Sequence, residues 1–153
     1  TPGGMLPTEP VKEGPMTFTI TRKVSLPYPQ AVDATRAALA DQGFGVLTEI
    51  DVKATRKQKL DVEVHDQIIL GACRPPLAHQ ALPAAPSIAA LLPCNVVVRT
   101  DDDGETIVEA IDPQAMISIG VGGLEGGDHP MLAQVAEDAH RRITAALDSL
   151  GGM

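Results

Sequence analysis

Apolar and polar residues alternate along residues 17–26, the first patterned segment of the chain. One face of this segment carries the apolar residues Phe18, Ile20, Val24 and Leu26. A period of two predicts a half-buried β-strand, in which Arg22 is the one residue that interrupts the apolar face. The same alternation over residues 46–52 predicts a second strand, and apolar positions between residues 62 and 70 predict a third.

Two other segments carry apolar residues at helical spacing. The first runs from about Pro29 to Asp41, and Gly43 follows it as a helix stop. The second runs from about Pro130 to Leu150 and has six apolar residues on one face: Leu132, Val135, Ala139, Ile143, Leu147 and Leu150. Between these helices, the basic residues 53–59 predict a solvated turn or short helix. Residues 75–93, which prolines interrupt, predict a short helix and a loop.

A hairpin is the best local signal in the second half of the chain. Residues 96–100 and 106–111 are rich in β-branched side chains, and the turn sequence Asp103-Gly104 lies between them. The resulting order is strand, helix, several strands and a long helix, with a flexible glycine-rich loop at 120–127. This order predicts an α+β fold in which helices pack on one face of an antiparallel sheet. We expect residues 1–15, rich in proline and glycine, to be a disordered leader, and residues 16–153 to form a single domain.

Composition excludes some classes of function. The only aromatic residues are Phe18, Tyr28 and Phe44, and the formal net charge is −8. Binding of single-stranded nucleic acid relies on aromatic stacking, and binding of a phosphate backbone relies on clustered cations. We therefore expect no nucleic-acid partner. No apolar run is long enough to cross a membrane, and no secretory signal is visible, so we expect a cytoplasmic protein without a membrane partner.

Chemistry is concentrated at the two cysteines. Cys73 ends one predicted strand and Cys94 begins another, so the two thiols can meet in space. With His79 and Met116 they would make a redox site or a soft-metal site for Cu or Zn, because thiolate, imidazole and thioether suit those ions. Arg74 and Asn95 are adjacent to this site. The alternative is that both cysteines are buried small hydrophobes with no chemical role.

No other motif points to catalysis. The glycines at 120–123 match neither a dinucleotide-binding nor a phosphate-binding loop. The three aspartates at 101–103 lack the rest of a calcium-binding loop. Neither a catalytic triad nor a pair of catalytic carboxylates is visible, so we expect no catalytic residues and favour a protein that is not an enzyme.

Six short blocks of the sequence resemble the family known as domain of unknown function 302. They occupy residues 43–51, 51–55, 71–73, 76–79, 91–98 and 111–113. The resemblance implies a fold like one repeat of the TATA-box-binding protein, and it makes both cysteines part of a recurring pattern. It implies no activity. The chain departs from the pattern at Arg74, where the family has asparagine, and at Arg56, where the family has an apolar residue.

Three functional hypotheses follow. The leading one is a non-enzymatic module that binds a small ligand or a protein partner at the strand ends around Cys73, His79 and Cys94. The second is a thiol redox or soft-metal protein that uses the same cysteines. The third is a structural homo-oligomer, such as a homodimer, in which an exposed sheet edge pairs two copies.

Overall fold

The computed structural model describes residues 18–84, 86–122 and 130–151 of the chain. The elements, in chain order, are β1 (Thr19–Val24), α1 (Tyr28–Asp41), β2 (Gly45–Asp51), α2 (Val52–Leu60), β3 (Gln67–Cys73), α3 (Pro75–Ala84), a 3-10 helix (Pro86–Leu91), β4 (Cys94–Thr100), β5 (Thr106–Ile111), α4 (Pro113–Gly122) and α5 (Pro130–Asp148). The predicted leader at 1–15 and residues 123–127 of the predicted glycine-rich loop lie outside the described residues.

The five strands form one antiparallel sheet in the order β1-β5-β4-β3-β2. The chain therefore has the predicted α+β fold, with helices packed against an antiparallel sheet. The hairpin of β4 and β5 is confirmed, since Thr100 pairs with Thr106 across the Asp-Gly turn. The likeness to a repeat of the TATA-box-binding protein stays a prediction.

The main core lies between the sheet and the helices α1 and α5. Alternate residues of the central strands are buried on this side, and they pack with apolar residues of both helices in one cluster that includes Leu39, Leu70, Val96, Val108, Ile143 and Leu147. Each such side chain contributes about 1.5–3 kcal/mol when fully buried. Arg22 breaks the alternation on the edge strand β1, where its Nε donates to the Asp148 carboxylate of α5 at 2.8 Å.

The structure corrects two local predictions. Residues 61–66 are irregular, so the third strand begins at Gln67 and not at Val62. Residues 113–122 form a helix, α4, for which the apolar pattern gave no prediction. The loop predicted at 120–127 is therefore wrong at residues 120–122, which belong to this helix. Its start has a recognisable signal, because proline at the first helical position follows Asp112, whose carboxylate accepts a hydrogen bond from the Gln114 N–H at 2.9 Å.

The sheet edges are β1 and β2. In β2 a register shift between Val46 and Thr48 interrupts the ladder with β3. Irregularities of this kind protect an edge strand against pairing with a second chain. The homodimer stays a prediction. None of the helices in the described ranges is long and apolar enough to cross a membrane.

Candidate functional site

A pocket lies where β3 ends and β4 begins. Its walls are mainly apolar and come from separate parts of the chain, with Phe44 after α1, Ile88 in the 3-10 helix, Met116 in α4, and Val135 and Ala136 in α5. The cavity volume is about 40 Å³. At roughly 10–15 Å³ for each water-sized sphere, this space holds only a few heavy atoms.

Strand pairing brings the two cysteines to this pocket. In the ladder between β3 and β4, Ala72 lies directly opposite Cys94, so Cys73 is one residue from that pair. Both cysteines line the pocket, and neither forms a disulfide. The fold therefore places both cysteines in the wall of one pocket, and the redox or metal site stays a prediction.

The other predicted site residues divide into two groups. Arg74 and Met116 line the pocket together with the cysteines. His79 is exposed on α3 and is absent from the pocket wall. Asn95 is also exposed, and it lines a separate shallow groove with Val97 and Glu109. The pocket thus collects three sulfur-bearing side chains and one guanidinium.

Burial raises the pKa of both cysteine thiols. It raises the pKa of Cys94 to about 11, with the neighbouring Cys73 adding to the shift, and burial also raises the pKa of Cys73. The thiolate is the reactive form of cysteine, and at pH 7 only about 1 in 10,000 Cys94 side chains carries it. The pocket therefore favours protonated, unreactive thiols.

We expect Cys94 to react slowly with iodoacetamide at pH 7 and about tenfold faster for each pH unit up to about pH 11. The folded chain holds this proton more tightly than the unfolded chain, so the free energy of unfolding should also fall as the pH rises from 9 to 11, by about 2–3 kcal/mol. The control is the chain unfolded in urea. Equal alkylation rates at pH 7 in both states would contradict the expectation.

Arg74 belongs to a cluster of charges beside the pocket. Its Nη1 donates to Asp138 Oδ2 at 3.4 Å. The same carboxylate accepts a hydrogen bond from Arg142 Nε at 2.9 Å and another from Arg141. Gly43 has φ +85° and lies against the Arg74 side chain, where an added Cβ would be 2.9 Å from Nε. Arg74 therefore packs between the turn after α1 and the middle of α5.

Within the described ranges, no group of three or more His, Cys, Asp or Glu side chains is placed to hold a metal ion. A closed zinc site needs four such ligands. The sulfur atoms of Cys73, Cys94 and Met116 are therefore the only predicted metal-binding atoms that share the pocket, and a set of this kind suits Cu(I) better than Zn.

Comparison with known proteins agrees with the resemblance seen in the sequence. The model of the family "Domain of unknown function DUF302" matches residues 20–150. The chain belongs to this family. It is similar to the crystal structure of an uncharacterized conserved DUF302 protein from Bacillus stearothermophilus, with a TM-score of 0.77 and 26% identity over 88% of this chain and 99% of that one. No curated protein matches the chain.

Two features of this DUF302 pocket were missed by sequence reasoning. Phe44 and the 3-10 helix reach the pocket only through the tertiary fold, and no local pattern marks them. The ion pairs of Asp138 with Arg141 and Arg142 did have a signal, because spacings of three and four residues place side chains on one helix face. The third cation of the cluster, Arg74, is too distant in sequence for such a rule.

Proposed function

We propose that this DUF302 domain is a non-enzymatic binding module that holds a small, largely apolar ligand in the pocket at the ends of β3 and β4. The observation that carries the proposal is the pocket itself, whose apolar walls come from α4, α5, the 3-10 helix and the strand ends. Ligand sites in proteins are typically concave and apolar with a few polar groups, and Arg74 is the charged group here.

The pocket chemistry supports binding over catalysis. Apolar cavities tend to stay dry, so an apolar group that enters one displaces little bound water and gains contacts with the wall. The raised pKa values of Cys73 and Cys94 leave both thiols protonated at neutral pH, which removes the nucleophile that a thiol enzyme needs. A volume of about 40 Å³ favours a ligand portion of only a few carbon atoms.

A substitution that fills the pocket should weaken binding. Ala136 is buried in the pocket wall, so Ala136→Val adds two methyl-sized groups to the cavity. We expect this variant to bind 3-methylbutan-1-ol at least about tenfold more weakly than the wild type, a loss of about 1.4 kcal/mol. Titration of amide chemical shifts by NMR measures the affinity and places the ligand.

Ala145→Val is the matched control, because Ala145 is exposed on the same helix. Valine lowers the helix propensity equally at both positions. Its affinity should stay within about twofold of the wild type. The proposal fails if the alcohol shifts no amides near Ala72, Cys94 and Ala136, or if both variants bind it equally well.

Soft-metal binding is a second candidate function, favoured by the three sulfur-bearing side chains in one pocket wall. Cys73, Cys94 and Met116 would bind Cu(I) as two thiolates and one thioether, and the two thiol protons would pass to solvent. The apolar surroundings exclude water, and Arg74 lies beside the two negative charges that the thiolates would carry. Proton release makes this binding stronger at higher pH.

Anaerobic titration with Cu(I) in competition with a chromophoric chelator tests this candidate. We expect one Cu(I) per chain in the wild type and none in the Cys73→Ser, Cys94→Ser double variant. Met116→Leu should weaken binding by about tenfold, whereas Met131→Leu, at a half-exposed position of α5, should not. Equal Cu(I) in the wild type and the double variant would reject the metal site.

The proposal also includes a cellular location and a class of partner. A cytoplasmic location agrees with two free cysteines, because that compartment keeps thiols reduced. The net charge of −8 supports the absence of a nucleic-acid partner. A small molecule is favoured over a protein as the partner, because the pocket is too small for a large side chain.

A further inference from the structure

Among the described residues that line the pocket, Arg74 is the one charged side chain and the others are mainly apolar. This side chain retains only a fifth of its accessible surface. A cation at the border of an apolar cavity costs desolvation energy, which an anion beside it repays. If the side chains around Arg74 do not fully neutralise its charge, the pocket should favour a negatively charged ligand.

Asp138 neutralises the charge of Arg74 only in part. Three guanidinium groups, those of Arg74, Arg141 and Arg142, share its single carboxylate. Counted over these four described side chains, the charge is two positive units in excess, in a chain whose net charge is −8. A local excess of this sign attracts anions against the field of the whole protein.

Arg74 is the least firmly held of the three. Its contact with Asp138 is 3.4 Å, at the long end for a charge-assisted hydrogen bond, whereas Arg142 donates to the same oxygen at 2.9 Å. The Nε of Arg74 is buried and has no hydrogen-bond partner in the described parts of the chain. A buried donor without an acceptor is costly, so this guanidinium gains most from a new acceptor.

We infer that the ligand of the pocket is a small aliphatic carboxylate, whose apolar end lies among Ile88, Met116 and Ala136 and whose carboxylate pairs with Arg74. The inference rests on the proposed function and names its ligand class. The guanidinium turns toward the cavity and exchanges its long contact with Asp138 for the ligand. Asp138 keeps Arg141 and Arg142, so neither acid is left unpaired.

The chemistry favours a carboxylate over a phosphate. One edge of a planar guanidinium matches the two oxygens of a carboxylate. A phosphate needs further donors for its additional oxygens, and Arg141 and Arg142 already donate to Asp138. The small cavity sets the size of the apolar end, which we expect to be no larger than a branched group of four carbons.

The test compares 3-methylbutanoate with its uncharged isostere, 3-methylbutanamide, by NMR titration of the full chain. We expect the wild type to bind the acid about tenfold or more tightly than the amide. Arg74→Gln should remove this preference, and amide chemical shifts outside the pocket that match those of the wild type show that the variant is folded. Arg141→Gln removes the same charge at an exposed position outside the pocket wall, and it should keep the preference within about threefold.

The possible results separate the two claims. If the acid and the amide bind equally well in the pocket, the carboxylate inference is wrong and the binding function stands. If the acid, the amide and 3-methylbutan-1-ol all fail to bind, the proposed function is wrong. If 3-methylbutyl phosphate binds through Arg74 while the acid does not, the ligand is a phosphate and the carboxylate is rejected. If Arg74→Gln and Arg141→Gln lose acid binding equally, any nearby positive charge favours the acid and Arg74 has no specific role. That result would also overturn the inference.

Discussion

Replacing Leu132 by alanine is expected to lower the free energy of unfolding by about 2–5 kcal/mol, the usual range for removing a fully buried leucine. Leu132 is inaccessible to solvent and packs with Ile88, Val135 and Ala136 in a small cluster separate from the main core. Three of these residues, Ile88, Val135 and Ala136, also form the pocket wall. The substitution therefore removes packing behind the proposed ligand site, and urea denaturation measures its cost.

Met131→Ala is the control for this experiment, because Met131 is the adjacent residue of α5 and half of its surface is exposed. Its effect should lie within about 0.5 kcal/mol of zero. A Leu132→Ala loss that is as small as the one expected for Met131→Ala would show that the small cluster contributes little packing energy. Measuring how tightly Leu132→Ala binds 3-methylbutan-1-ol would further show whether ligand binding depends on the packing of Leu132 behind the pocket wall.

Gly71→Ala is expected to destabilise the fold by about 1–3 kcal/mol, the range for forcing extra atoms into a packed site. A Cβ at this position would lie 2.1 Å from Thr48 Oγ1 and 2.9 Å from Pro93 Cγ. The Thr48 side chain, whose Cβ would also lie 3.5 Å away, and the rigid proline ring therefore both oppose the added group. Since Pro93 directly precedes Cys94, the same clash should disturb the strand ends that hold the pocket. Denaturation and amide chemical shifts measure the two effects.

Gly45→Ala is the matched control on the neighbouring strand. The nearest atom to its added Cβ is the Cys73 carbonyl oxygen at 3.9 Å, an ordinary contact. We expect a change of less than about 1 kcal/mol, in the stabilising direction, because alanine restricts the unfolded chain. Adding Thr48→Ala to Gly71→Ala should recover about 1 kcal/mol by removing the hydroxyl. Additive effects in that double variant would show that Thr48 is not the source of the clash.

Much of the fold follows from local pattern. The strand β1, the helices α1 and α5 and the β4–β5 hairpin were all predicted from periodicity and turn residues, because each carries its own signal over ten or more residues. The start of β3 and the helix α4 were not. Residues 62–66 have strand-like alternation without a partner strand, and the apolar residues of α4 do not mark a single face.

The candidate site was predictable in part. The places of Cys73 and Cys94 at strand ends indicated their meeting, and Met116 and Arg74 also reach the pocket. His79 was predicted to join them, but it lies exposed on α3, because proximity in sequence to Cys73 does not place a helical side chain on the pocket side. The role of Asp138 as the shared partner of three arginines depends on the packing of α5 beside Arg74.

The sequence by itself determined the α+β class, most helices and strands, the family, and the positions of two cysteines at the ends of adjacent strands. Periodicity and turn chemistry are local properties, so they can be read without the fold. Only the tertiary structure decided that a small apolar pocket lies at those strand ends, that His79 is outside it, and that Arg74 shares Asp138 with two other arginines. These features arise from contacts between residues far apart in the chain, such as Arg74 and Asp138, and no local pattern encodes such contacts.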